Sequence, residues 1–180
     1  MTKYAKIMAT FGVLAGLGVA SLPLATFAAN TSEITVKVTV QEGISIANDN
    51  STANAGSKAP GETGSATSNL TAATNNAAGL KITVKDKDND TSLRDASITG
   101  STAGVDFIPT GTSGAGTWSL KGGDLVAETA MVKDSETALV VKNTTGPSTE
   151  NVAMSYRVVP GAAQRQGTYE DVIVYTVTKN

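Results

Sequence analysis

Along residues 33–40, EITVKVTV, apolar and polar positions alternate without a break. Ile34, Val36, Val38 and Val40 fall on one side, and Glu33, Thr35, Lys37 and Thr39 on the other. Successive side chains of an extended chain point to opposite faces, so this pattern predicts a half-buried strand. The next stretch, EGISIA, predicts a turn at Gly43 and a short second strand. GLKITVK, 79–85, predicts another, with Leu80, Ile82 and Val84 inward. ETALVVKN, 136–143, and NVAMSYRVVP, 151–160, predict stronger strands; in the second, Val152, Met154, Tyr156 and Val158 share a face. ASITG, GVDFIP and GTWSLKGGDLVA predict short strands broken by glycines. The last run, TYEDVIVYTVTKN, sets Tyr169, Ile173, Tyr175 and Val177 on one face, with Val172 and Val174 on the other. Apolar residues on both faces predict a central strand.

No stretch after residue 30 keeps a helical period for three turns. Many short β-rich runs between Gly, Asn, Asp and Pro turns predict an all-β fold, an antiparallel β-sandwich of Ig-like or Greek-key type. Residues 48–78 contain one large apolar residue, Leu70, among Ser, Thr, Asn, Gly and Ala. Such a stretch offers little to bury against the entropy of ordering it, so a long flexible insertion is expected there. Residues 1–28 have the parts of a secretory signal peptide: Lys3 and Lys6, an apolar run from Ile7 to Ala20, and small residues leading to a cleavage point after Ala28. The remainder, 29–180, is long enough for one core and is expected to be a single exported domain with no membrane segment after cleavage.

Composition narrows the chemistry. The chain has no histidine and no cysteine. A Ser-His-Asp triad, a Cys-His pair, a His-ligated zinc and a disulfide framework are thereby excluded, and no catalytic role is expected. With Lys3 and Lys6 removed from the 14 basic residues, 12 remain against 16 acidic ones, a net charge of −4. That balance provides no basic field for nucleic acid or anionic lipid. DKDND sets Asp86, Asp88 and Asp90 at alternate positions, the spacing of the first half of a calcium loop. The match stops there: Thr91 stands at the sixth position in place of Gly, and Ser97 at the twelfth in place of Glu. The competing reading is an acidic turn using Asp for its turn chemistry. Trp118, with Tyr169 and Tyr175, forms the candidate set for stacking on a ligand. Against it stands the usual place of a lone Trp in a small β domain, in the core with its N–H bonded at an edge.

The closing stretch GTYEDVIVYTVTKN resembles the last strand of WxL-domain surface proteins of Gram-positive bacteria, with Tyr175-Thr176-Val177 where the Trp-x-Leu triplet stands. NNAAGLKITV is similar to the strand that carries the first motif, with Leu80-Lys81-Ile82 in its place, and SEITVKVTVQEGISI lies where that family opens. WSL at 118–120 repeats the triplet literally in another context. The resemblance implies a secreted, noncovalently wall-associated β-sandwich at the cell surface, with peptidoglycan or another wall component as its partner. The alternating segment 33–40 supports a different expectation, a self-assembling fibre, pilus or surface-layer subunit in which an extended terminal strand completes a neighbour's sheet. A calcium- or carbohydrate-binding module is the third.

Overall fold

The computed structural model describes residues 32–180, so the signal peptide expected over 1–28 lies outside the described residues. The chain divides into two units, Met1–Thr39 and Val40–Asn180. In the first unit, residues 32–39 carry no strand. Ile34, Val36 and Val38 are 87%, 92% and 83% exposed. The half-buried strand expected over residues 33–40 is therefore not formed. Alternation makes a sequence fit for a sheet, but a strand exists only where a second strand takes its hydrogen bonds, and no described strand does so here.

The second unit is all-β, with ten strands and no helix among the described residues. In chain order they are β1 Ile44–Asn48, β2 Gly64–Thr74, β3 Leu80–Asp86, β4 Leu93–Arg94, β5 Phe107–Ile108, β6 Thr117–Gly122, β7 Leu125–Thr129, β8 Leu139–Asn143, β9 Ser148–Val159 and β10 Ile173–Lys179. A five-stranded sheet has the order β1-β2-β9-β6-β7, and a three-stranded sheet the order β10-β3-β8. All strand pairs in both are antiparallel. The inner faces of the two sheets meet in one core: Leu70, Ala72, Trp118, Leu120, Val152 and Met154 from the larger, Leu80, Ile82, Val84 and Val141 from the smaller. Alternation alone sends Leu80, Ile82 and Val84 inward, and all three are fully buried.

Three expectations change. Residues 48–78 are not one flexible insertion, because β2 occupies 64–74 and lies between β1 and β9. Its inward residues are Gly64, Ala66, Ser68, Leu70, Ala72 and Thr74, alternating with exposed Ser65, Thr67, Asn69 and Thr71 and with half-buried Ala73. All but Leu70 are small. Tyr156 reaches across to Ser68, hydroxyl to hydroxyl at 3.0 Å. The terminal strand is likewise not central. β10 is an edge, paired on one side with β3, and Val172 and Val174 remain 55% and 40% exposed. ASITG, 96–100, forms no strand; its neighbourhood is pinned by side chains, with Asp95 Oδ1 accepting from the Ser97 N–H at 2.8 Å.

The β6–β7 hairpin shows why two glycines stand together. Gly122 has φ 147° and Gly123 φ 57°, both in the region that L side chains avoid. A Cβ on Gly123 would lie 2.1 Å from the Val141 carbonyl oxygen of β8. The turn thus brings the end of one sheet against the other, and Asp124 secures it by donating its N–H to that same oxygen at 2.7 Å.

Candidate functional site at an open sheet edge

The Asp86-Lys87-Asp88-Asn89-Asp90 stretch begins at the last residue of β3 and turns out of it. Its carboxylates act on their own backbone: Asp86 Oδ1 accepts from the Asp88 N–H at 2.7 Å, Asp88 Oδ1 from the Asp90 N–H at 2.7 Å, and Asp90 Oδ1 from the Ser92 N–H at 3.2 Å. This is the turn chemistry that short acidic side chains perform well. Asp90 also pairs with Arg94, whose guanidinium lies 4.4 Å from the centre of the Phe107 ring. Among the described residues no group of three or more acidic side chains is arranged to hold a metal ion. Asp86 faces a different residue, Asp171, at the entry to β10. Asp86 is 1% exposed, and Oδ2 of each carboxyl lacks a hydrogen-bond partner among the described residues. Burial, then the neighbouring Asp86 carboxyl, pushes Asp171 up to about 8, and burial also raises Asp86. Burial and like-charge repulsion thus favour the protonated form of Asp171 over a second negative charge beside Asp86. Asp171 has no visible partner in the sequence; the pair appears only when β10 lies antiparallel to β3 with Ile173 opposite Asp86.

The three candidate rings do not converge on one surface. Trp118 is 4% exposed, and its Nε1–H donates to the Thr91 carbonyl at 2.8 Å. It is a core residue with its polar edge satisfied. Tyr169 is half-buried and donates its hydroxyl to the Arg165 carbonyl at 2.9 Å. Tyr175 is half-buried on β10, and its hydroxyl lies 2.9 Å from that of Tyr156. With Ser68 they make a row of three hydroxyls from the smaller sheet to the larger. Burial and the Tyr156 hydroxyl raise the Tyr175 pKa well above the usual phenol value, so it remains a neutral donor and acceptor.

The feature the structure leaves unfinished is the flank where β1 and β10 are the edges of their sheets. Lys87 donates its N–H to the Val172 carbonyl at 2.9 Å in the same register as the β3–β10 ladder. Hydrogen-bonded pairs alternate along an antiparallel ladder. The N–H and C=O groups of Ile173, Tyr175 and Val177 therefore point away from β3, toward a side where no described strand pairs with β10. On β1, Ile44 and Ile46 stand opposite Thr74 and Ala72, whose side chains face the core, so both isoleucines face inward as well. Yet Ile44 is 43% exposed and Ile46 is only half-buried. Five strands face three, and the smaller sheet ends at β10. A groove of about 220 Å3 opens here, lined by Ile46, Ala47, Asn48, Leu70 and Tyr175. On the same flank, Lys179 of β10 and Glu42 before β1 lie 3.4 Å apart.

Sequence reasoning named Tyr175 but not Ile44, Ile46 or the free backbone of β10. The apolar residues on both faces of the last strand were the available signal. They report on the faces of the strand and not on its lateral edges, so the free backbone of β10 had no signal in the sequence. Compared with known proteins, the chain matches no family model and no curated relative.

Proposed function

We propose that this chain is an exported, cell-surface structural protein whose β-sandwich self-associates into polymers. The observation that carries this reading is the row Ile34, Val36, Val38 and Val40, the last 77% exposed. Four β-branched side chains on one side of an alternating segment are suited to a sheet and poorly suited to water. Exposed, strand-competent segments are what proteins normally remove or cover, since they template pairing with other chains. Keeping one is reasonable where pairing with another chain is the purpose. Export follows from the leader-like residues 1–28.

Attachment to a cell wall draws on the resemblance to WxL domains. It receives less support, because Trp118 is buried and Tyr169 and Tyr175 have hydroxyls engaged with the protein itself. Sedimentation velocity over a wide concentration range tests self-association. Mass that grows with concentration is expected. A monomer at every concentration, together with sedimentation on added peptidoglycan, would replace assembly with wall binding.

A further inference from the structure

We propose that residues 33–40 of one copy add to the free edge of β10 in a second copy, as a fourth strand of its smaller sheet. This rests on the self-association reading and identifies the surfaces that meet. Four observations converge on it. The segment has eight residues and β10 has seven, so the two lengths match along a ladder. The N–H and C=O groups of Ile173, Tyr175 and Val177 face the side on which no described strand hydrogen-bonds to β10, with β1 passing alongside, and are free to pair with an added strand. A strand in that position lies beneath β1, where Ile44 and Ile46 face inward but remain partly exposed. With Ile34, Val36, Val38 and Val40 turned to that inner side, their β-branched side chains meet Ile44, Ile46 and the groove beside Tyr175. Thr35, Lys37 and Thr39 then point outward on the face that carries Val172 and Val174. One arrangement satisfies both the segment's alternation and the edge's unpaired groups.

The donor is a second copy, because self-association is the reading this contact rests on and residues 33–40 pair with no strand of their own chain among the described residues. A reversal of the chain at residues 41–43 onto its own β10 edge is the alternative that the double-cysteine chain below decides. Residues 41–43, from which the segment leaves, are held by the loop after β2: Asn75 Nδ2 donates to the Gln41 carbonyl at 2.8 Å, the Gly43 N–H donates to Asn75 Oδ1 at 2.7 Å, and Asn76 Nδ2 donates to Glu42. A segment that leaves one copy and enters the next is a head-to-tail contact, and such contacts build open filaments unless their rotation closes a ring.

Cysteine-free sequence makes the test direct. Full-chain Lys37→Cys is mixed in turn with full-chain Val174→Cys, Thr176→Cys and Thr178→Cys, all on the outward face, and oxidised. A disulfide-linked heterodimer is expected with one of the three β10 variants in preference to the others, and this fixes the register. Adding Val36→Asp and Val38→Asp to the Lys37→Cys chain should abolish that heterodimer without shifting the melting temperature of the monomer. If the chain polymerises but no β10 position is favoured, the docking site is wrong while self-association stands. If no polymer forms either, the self-association reading fails with it. A disulfide that forms only within one chain, when Lys37→Cys and a β10 cysteine are placed together, would show self-completion and overturn the exchange between copies.

Discussion

Asp86 and Asp171 show how position overrides residue type. An aspartate in water is ionised at neutral pH, whereas Asp171 is pushed up to about 8 by burial and by its neighbour. In the unfolded chain the same group ionises near pH 4. Between those values the folded protein holds a proton that the unfolded chain releases. Rising pH therefore favours unfolding across this window, opposite to the usual behaviour of a salt-bridged aspartate. The contribution of this pair to the melting temperature is expected to fall as pH rises from about 4 to about 8. Asp171→Asn keeps the shape and mimics the protonated state, so thermal scans of that variant should show a flatter dependence. An equal fall in both proteins would mean that other groups set it. Trp118 illustrates the same rule for packing. Its ring is enclosed and its N–H satisfied, so Trp118→Ala should cost about 3–5 kcal/mol in denaturant unfolding, like other large aromatic truncations. A loss below about 1 kcal/mol would be typical of a surface ring instead.

Among the strands, β2 is the most instructive. Apart from Leu70 its inward residues are small, so a search for runs of large apolar side chains passes over it, yet its period of two is regular from Gly64 to Thr74. It pairs along its whole length with β9, residue against residue from Gly64–Val158 to Thr74–Ser148. Such a strand tolerates little added volume. Ala72 is fully buried, and Ala72→Leu is expected to destabilise the protein by about 1–3 kcal/mol, as overpacking generally does. Limited proteolysis supplies a second check. The first cuts should fall in residues 49–63, which are mostly exposed and carry no strand, and not in β2. Early cleavage within 64–74 would contradict the pairing. β10 presents the opposite case: its apolar alternation was plain, but its neighbours were not, and the strand that reads as central is an edge.

Taken together, the sandwich and the segment before it make separate contributions. The core of Val40–Asn180 draws on both sheets and includes none of residues 33–40. Deleting 33–40 should therefore leave the melting temperature unchanged while removing concentration-dependent growth in mass. A large drop in melting temperature would assign the segment to the fold instead. Because the proposed contact combines apolar burial with backbone hydrogen bonds, moderate salt should not dissociate the polymers; screening weakens exposed charge pairs such as Lys179–Glu42 and leaves the rest.

Alternation along the chain was enough to read the all-β class, the inward faces of β3 and β9, and the polar turn after β3, because a side chain's face in a strand depends only on its parity. The absence of histidine and cysteine was enough to exclude whole classes of chemistry, because those reactions need those atoms. Which strand lies beside which is another matter. Leu70 belongs to a central strand and Tyr175 to an edge because of pairings between residues far apart in the chain, and those pairings follow from how two sheets share one core. The same holds for the Asp86–Asp171 contact and for the groove beside β1, each made from residues that only the register brings together. The pattern in residues 33–40 declared a strand; that no described strand accompanies it is a fact of three dimensions, and from it comes the expectation of a second copy.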